Sequence, residues 1–131
     1  MDTPLTTSRE PLPGPAASHP RTPPDAAAAA AGLAPELSVV IPAYNERESI
    51  VPLFDELREA LARVGRSYEI VMVDDGSRDG TAEWLVREAA RDPRVVPVLL
   101  AGNHGQSAAI AAGLRHARGA VIVTLDADLQ N

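Results

Sequence analysis

The chain has 131 residues, which suits a single domain, and a formal charge of −6 at neutral pH, which argues against nucleic acid as a partner. It contains no cysteine and no lysine, so disulfides, thiol nucleophiles, zinc–thiolate sites and lysine Schiff bases are excluded. No run of about 18 apolar residues occurs, and the sequence therefore predicts no membrane span within this chain.

The first part of the chain has a composition of its own. Residues 1–35 contain eight of the 12 prolines, an alanine tract and no periodic apolar pattern. Such a segment buries too little apolar surface to offset the entropy lost on ordering, so we predict a disordered tail. The tract Ala26–Ala31 has no basic segment before it, which argues against a signal peptide. We therefore expect a cytoplasmic protein whose ordered part is residues 36–131.

From Glu36 onward, predicted strands and helices alternate. The predicted strands are Leu37–Ile41, Tyr68–Val73, Val95–Leu100 and Val121–Leu125. The predicted helices run from the N-cap Ser49 to about Val64, from Thr81 to Arg91 and from Ser107 to Ala117. Because the strands are continuous apolar runs and alternate with helices, the pattern favours a parallel α/β sheet with helices on both faces.

Single residues add detail to this outline. Pro42 is predicted to close the first strand, and Gly65 to end the first helix. Pro97 lies within the third strand and indicates an edge position, since proline cannot donate a ladder hydrogen bond. The third helix is rich in alanine and glycine, so we expect it to pack close to the sheet.

Polar residues follow the strands at the carboxyl edge of the sheet, where parallel α/β folds bind their ligands. After the first strand, Asn45 and Glu46 offer hydrogen bonds and Tyr44 offers a stacking face. The alternative is that Asn45 and Glu46 only turn the chain into the first helix, and the residues alone leave both interpretations open.

The second strand is followed by the pair Asp74 and Asp75 and then by Gly76. A carboxylate in this place can bind ribose hydroxyls or a base N–H, and glycine permits the turn. The alternative is a plain Asp-Gly turn with solvated acids.

The fourth strand is followed by Asp126 and Asp128, and Gln130 continues the same spacing. Oxygen ligands at alternate positions after a strand can turn toward one hard cation, although two acids there can also be a solvated turn. A weaker candidate is the loop Gly102–Gln106, which opens a helix whose N–H groups could face an anion. We expect His104 in that loop to be an exposed residue rather than a base or a metal ligand.

Taken in chain order, these segments resemble one family, the inverting family 2 glycosyltransferases of the GT-A fold, and within it the polyprenyl- and dolichyl-phosphate sugar transferases. The segments that carry the resemblance are VVIPAYNE, VDDGS, GNHGQSAAIAAGL and LDADLQ. Each segment alone is weakly specific, whereas the set of four is highly specific and spans Leu37 to Asn131. The resemblance implies a Rossmann-like, nucleotide-binding GT-A half with strand order 3-2-1-4, truncated after strand four.

The resemblance also implies residue roles. The donor-binding residues would be Pro42, Ala43, Tyr44, Glu46, Asp75, Gln106 and Asp126. Asp126 and Asp128 match the DXD pair that holds Mg²⁺ or Mn²⁺ on the donor diphosphate, and Gln130 matches a third ligand. Two positions depart from the usual pattern, Gly102 where arginine is common and Ala120 where aspartate is common. The first departure weakens any assignment of phosphate contacts to that loop.

The implied reaction transfers a sugar from a UDP- or GDP-sugar, with inversion, to an acceptor such as a polyprenyl phosphate. In such enzymes the acceptor side follows the DXD motif, so we expect no catalytic residue within the chain, weak donor binding and no turnover by the chain alone. The full-length protein would then work at the cytoplasmic face of the membrane. The alternative is an incomplete fragment that only binds nucleotide-sugar. The sugar and the base remain open.

Two other α/β classes fit poorly. A receiver-type signalling domain should carry its acid pair after strand one and a lysine late in the chain, whereas this chain has its pair after strand two and no lysine. A dinucleotide-dependent oxidoreductase needs G-x-G-x-x-G after strand one, which the segment Pro42–Glu46 does not supply.

Overall fold

The computed structural model describes Ala26, Ala27, Ala29 and residues 31–127. The predictions for the tail up to residue 25, and for Asp128 and Gln130 as metal ligands, fall outside the described residues. No helix in the described part of the chain combines the length and apolarity that crossing a membrane requires.

The described residues form a four-stranded parallel sheet in the order β3-β2-β1-β4, as predicted. The strands are β1 (Leu37–Ala43), β2 (Tyr68–Asp74), β3 (Val95–Leu99) and β4 (Val121–Thr124). The helices are α1 (Ile50–Val64), α2 (Thr81–Arg91) and α3 (Gln106–His116). Because β1 lies in the centre, the loops after β1, β2 and β4 meet at one edge of the sheet.

Alternate residues of the central strands enter two separate cores. On one face, Val39 and Ile41 of β1 pack with Phe54 of α1 and Leu85 of α2. On the other face, Val40 of β1 packs with residues of α3. Helices therefore cover both faces, which explains why consecutive positions in the middle of these strands are apolar.

The helix α3 lies very close to the sheet, as its small residues predicted. A Cβ atom on Gly113 would stand 2.4 Å from Cγ1 of Val40 and 2.9 Å from Cγ2 of Val73. Ala109 and Ala112 are buried on the same face of the helix. This close approach brings the first residue of α3, Gln106, to the carboxyl edge of the sheet.

Pro42 does not close β1, contrary to the prediction, because the strand continues to Ala43. The carbonyl of Val40 accepts a hydrogen bond from the N–H of Leu125. The backbone N–H and C=O groups of even-numbered residues in β1 are therefore directed toward β4. The pairing of β4 with β1 ends at Val40 and Thr124. The backbone of Pro42 therefore lies beyond the end of β4. Because no strand pairs with it there, the missing N–H of proline removes no hydrogen bond from the sheet.

The two ends of α1 differ in how well the sequence predicted them. Gly65 ends the helix in the left-handed conformation, as expected, with φ of 77°. Ser49 stands at the N-cap position, as predicted, but its side chain makes no capping hydrogen bond. Its hydroxyl lies 2.9 Å from Oε1 of Glu46 instead, because Glu46 is three residues earlier and offers a charged acceptor.

Both edge strands match expectation. Pro97 lies in β3, an edge strand. All four residues of β4 are exposed, including Val121 at 59% and Ile122 at 42%. The described sheet thus has one exposed apolar edge.

Candidate functional site

The loop after β1 is joined to the loop after β2 by hydrogen bonds from backbone N–H groups to side-chain oxygens. Asn45 donates from its N–H to Oγ of Ser77 at 2.8 Å, and its Oδ1 accepts the N–H of Arg78 at 2.9 Å. Asn45 adopts a left-handed conformation with φ of 53°, which asparagine tolerates better than most residues. Its role in the described structure is to shape this junction, which supports the simpler of the two interpretations for this residue.

Asp79 strengthens the same junction, and the sequence analysis missed it. Its carboxylate accepts backbone N–H groups of Arg47 at 3.0 Å and Thr81 at 3.1 Å. Burial by itself would raise the pKa of Asp79, but hydrogen bonds from the Thr81 hydroxyl and these two amides hold it below its usual value. The available signal was an aspartate two residues before a helix, the pattern of an Asx-turn.

The two acids at the end of β2, Asp74 within the strand and Asp75 just after it, are buried and not solvated. Asp74 is 2% exposed and Asp75 is 4% exposed. Oδ2 of Asp74 accepts the N–H of Ser77 at 3.0 Å, which closes the turn around Gly76. The alternative of a turn with solvated acids is therefore wrong for this pair.

Asp75 holds the loop that precedes α3. Its Oδ1 accepts the N–H of His104 at 2.8 Å, and its Oδ2 accepts the N–H of Gly105 at 2.9 Å. We expected the N–H groups at this helix start to face an anion, and in the described structure that anion is the carboxylate of Asp75. The His104 side chain is exposed, as predicted.

Glycine is required where these two loops touch. Gly76 has φ of 80°, and a Cβ atom there would stand 2.6 Å from the carbonyl carbon of Gly102. No side chain fits at that distance, so the backbones of the two loops are in direct contact. The loop before α3 is thereby fixed to the end of β2 by packing as well as by hydrogen bonds.

Asp126 lies just beyond the end of β4, at the same edge of the sheet. Leu125 donates its N–H to the carbonyl of Val40 at 3.0 Å, which fixes the backbone immediately before Asp126. Gln106, the first residue of α3, donates from Nε2 to Oδ1 of Asp126 at 3.0 Å. Gln106 and Asp126 are 20 positions apart. They meet because α3 leads the chain away from this edge of the sheet and β4 leads it back.

These loops enclose a cavity of about 210 Å³. Its lining residues are Pro42, Ala43, Tyr44, Glu46, Asp75, Gln106, Ala109, Asp126 and Ala127. All seven residues that the sequence analysis assigned to donor binding are among them, although their individual roles remain predictions. Among the residues that the structure describes, three carboxylates and no basic side chain line the cavity, which favours a ligand that arrives with a cation over a bare anion.

A second cavity of about 450 Å³ lies between the loops after β2 and β3. Tyr44 lines both cavities and is 43% exposed. Arg78 and Asn103 also line the second cavity. The ring of Tyr44 is therefore positioned where a flat ligand group could extend from one cavity toward the other.

The oxygen-bearing side chains of the cavity can be compared with the ligands that the expected Mg²⁺ or Mn²⁺ requires. Among the described residues, no group of three or more histidine, aspartate or glutamate side chains could hold a metal ion. Mg²⁺ in proteins is commonly held by one or two carboxylates together with substrate phosphates, so a cage of protein ligands is not required. Asp126 on the cavity wall fits such a shared site.

The comparisons with known proteins agree with this architecture. The family model described as glycosyl transferase family 2 matches residues 38–131. Undecaprenyl-phosphate 4-deoxy-4-formamido-L-arabinose transferase of Edwardsiella ictaluri (strain 93-146) is 54% identical over 97 residues, which cover 72% of this chain and 30% of that protein. The enzyme of the same name from Pseudomonas aeruginosa (strain LESB58) is 53% identical over 96 residues, covering 72% and 28%.

Two solved structures share the fold. The mannosyltransferase PcManGT from Pyrobaculum calidifontis, in complex with GDP-Man and Mn²⁺, has a TM-score of 0.62 and 34% identity, covering 72% of this chain and 28% of that one. S. aureus TarS in complex with UDP has a TM-score of 0.60 and 25% identity, covering 71% and 27%. The chain spans about three tenths of the length of the curated relatives named above. Because the family model matches most of its residues, the chain belongs to glycosyl transferase family 2.

Proposed function

We propose that residues 36–131 form the donor-binding part of an inverting glycosyltransferase that transfers a sugar from a UDP- or GDP-sugar to a polyprenyl phosphate. The observation that carries this proposal is the acid-lined cavity at the carboxyl edge of the sheet, where three loops and the end of β4 meet. Ligands of open parallel sheets bind at this edge.

The nucleoside part of the donor would contact Tyr44 and Asp75. The exposed ring of Tyr44 offers a stacking face, and the buried carboxylate of Asp75 offers acceptors to a base N–H or a ribose hydroxyl. The related structures bind such groups, since PcManGT was solved with GDP-Man and TarS with UDP. Pro42, Ala43 and Glu46 would form the remaining wall.

The diphosphate part would lie at Asp126, where Asp128 and Gln130 complete the predicted ligand set. When bound, Mg²⁺ or Mn²⁺ supplies Lewis acidity that offsets the negative charge growing on the leaving nucleoside diphosphate. Asp126, with Asp128 and Gln130, would hold the cation, without which the acidic cavity wall would repel the diphosphate. PcManGT, which contains Mn²⁺, supports this assignment.

The acceptor we propose is a phosphate carried by a polyprenyl lipid, at the cytoplasmic face of the membrane. The curated relatives are named as undecaprenyl-phosphate transferases. A phosphate is already an anion at neutral pH, so it attacks the anomeric carbon without a general base, whereas an alcohol acceptor would need one. The comparisons do not favour the alternative of a module that only binds nucleotide-sugar, because these relatives are named as transferases.

Isothermal titration of UDP and GDP, each with and without Mn²⁺, tests the proposal and identifies the base. We expect Asp126→Asn to weaken the Mn²⁺-dependent binding of the nucleotide at least about tenfold. Loss of an outer-shell partner already lowers metal affinity by about this factor, and loss of a direct metal ligand should lower it no less. Asp55→Asn, a change of an exposed carboxylate on α1, is the matched control and should have no effect. Binding that is equally tight without Mn²⁺ and insensitive to Asp126→Asn would contradict the proposal.

A further inference from the structure

Three consecutive residues connect the two acids of the cavity. His104 and Gly105 donate their backbone N–H groups to the two oxygens of Asp75, at 2.8 and 2.9 Å. The next residue, Gln106, donates from its side chain to Oδ1 of Asp126 at 3.0 Å. Asp75 and Asp126 are 51 positions apart in sequence, yet a single short segment contacts both of them.

This segment has little freedom to move independently of Asp75. Gly105 adopts φ of 97° and ψ of 160°, a conformation that side-chain-bearing residues rarely adopt, and it directly precedes α3. The backbone of Gly102 is in direct contact with Gly76. A displacement of the segment would therefore also displace the side chain at the first position of α3.

We infer that Gln106 is a positioning residue for Asp126 and that Asp75 sets the place of Gln106, so that the nucleoside side and the cation side of the cavity are coupled. We call Asp75, His104, Gly105 and Gln106 the relay. The inference rests on the proposed cation site at Asp126 and adds a function for Asp75 that does not require contact with the donor.

The physical basis is the orientation of a ligand by its outer-shell partner. A carboxylate at the exposed end of a strand can rotate, and a hydrogen bond to one oxygen restricts that rotation before a cation arrives. Asp75→Asn would replace one acceptor oxygen by an NH₂ group, which cannot accept a hydrogen bond. One of the two N–H groups, that of His104 or that of Gly105, would then lose its acceptor. The segment would shift, and Gln106 would lose its alignment with Asp126.

The first experiment needs no metal. The side-chain amide of Gln106 is followed by ¹⁵N–¹H NMR in the 131-residue chain, in Asp126→Ala and in Asp75→Asn. The relay requires the Gln106 resonance in Asp75→Asn to move toward its position in Asp126→Ala. An unchanged resonance in Asp75→Asn would overturn the inference.

Asp79→Asn is the matched control for this experiment. Asp79 also accepts two backbone N–H groups at the same edge of the sheet, but these come from Arg47 and Thr81 rather than from the relay. This variant should leave the Gln106 resonance in place. A shift as large as that of Asp75→Asn would show a general loosening of the edge and would count against the relay.

The second experiment measures Mn²⁺ affinity without nucleotide, by electron paramagnetic resonance. Gln106→Ala should weaken Mn²⁺ binding about tenfold, at the low end of outer-shell effects because the contact is exposed, and Asp75→Asn should weaken it by a smaller factor because it acts through Gln106. In the double variant the effects should not add, since Asp75 acts only through Gln106. Additive losses, or no loss in Asp75→Asn, would refute the relay.

The two experiments separate the two proposals. If the wild-type chain binds no Mn²⁺, the cation site of the proposed function fails, and the NMR result alone decides whether Asp75 positions Gln106. If Mn²⁺ binds and depends on Asp126 but not on Asp75, the proposed function stands and the relay is wrong.

Discussion

Two buried carboxylates hold the two ends of α3, one at each end of β2, and they differ in what else they can do. Asp75 accepts the backbone N–H groups of the segment before α3. Glu69 is 2% exposed, and its Oε2 accepts the Ser38 hydroxyl at 2.6 Å and the N–H of Arg118, just after α3, at 2.7 Å. The two acids fasten the same helix, and only Asp75 lines the cavity.

The comparison shows that burial of an acid is a poor guide to function unless its place in the sheet is known. Both carboxylates are buried and hydrogen-bonded across the fold. Glu69 lies at the amino end of the parallel strands and Asp75 at the carboxyl end, where the loops enclose a cavity. Removal of either should loosen α3, and only removal of Asp75 should alter ligand binding.

The largest expected effect is that of Glu69→Ala on stability. The Ser38 hydroxyl and the Arg118 N–H would lose their common acceptor in a buried place, which should lower the free energy of unfolding by about 3 kcal/mol. Urea denaturation followed by circular dichroism measures this. Glu59→Ala, an exposed change on α1, is the control and should stay within about 0.5 kcal/mol of wild type. A destabilisation no larger than that of the control would show that Glu69 does not fasten α3.

Amide substitutions sharpen the comparison, because the two acids use their oxygens differently. Asp75 uses both oxygens as acceptors, so Asp75→Asn leaves a backbone N–H without one and should lower the free energy of unfolding by about 2 kcal/mol. Glu69 accepts both of these hydrogen bonds at one oxygen, which glutamine retains, and glutamine loses only the 3.5 Å ion pair of the other oxygen with the half-exposed Arg118 side chain, so Glu69→Gln should cost about 1 kcal/mol. Urea midpoints of the two variants test the difference. Equal costs would contradict the assigned geometry.

Another buried acid, Asp92, is paired with two arginine side chains, Arg58 and Arg94. Burial by itself would raise the pKa of Asp92, but hydrogen bonds from Arg94 and the positive charges of Arg94 and Arg58 hold it below its usual value. Its ionised form therefore stabilises the fold above the ordinary aspartate pKa, and this contribution is lost as the pH falls through the lowered pKa.

The corresponding prediction is a smaller loss of stability than that of Glu69→Ala or Asp75→Asn. Asp92→Asn should lower the free energy of unfolding at pH 7 by about 1 kcal/mol. The stability of the Asp92→Asn variant should also fall less than that of wild type as the pH drops below about 4, the ordinary range of aspartate pKa values. Urea denaturation at pH 7 and pH 3 tests both points, with Asp55→Asn as an exposed control. An unchanged acid dependence in Asp92→Asn would refute the assignment.

Local pattern was enough to predict most of the fold. The bounds of α2 agree with the predicted Thr81–Arg91, because amphipathic spacing is a property of neighbouring residues. The strand order was predicted as well, through the resemblance carried by the four segments. The error at Pro42 arises because the end of β1 depends on where its pairing with β4 stops, which the local pattern does not include.

Contacts between distant residues were beyond sequence reasoning. Asp79 and Arg47 are separated by 32 positions, and Glu69 and Arg118 by 49. Each pair meets only because parallel strands bring their ends together after long crossovers. The sequence predicted the acids at the carboxyl edge. It did not distinguish a turn with solvated acids from a buried acid that binds the backbone of a neighbouring loop.

By itself, the sequence determined which elements form, which strand ends carry acids and which family the four segments resemble, because apolar periodicity and motif residues are local information. Only the tertiary structure decided that Asp75 is engaged by the segment before α3, that Gln106 reaches Asp126 and that seven assigned residues line one cavity. The physical reason is that hydrogen bonds between loops depend on the register of the sheet and on how closely α3 packs against it, and both are set by the whole fold.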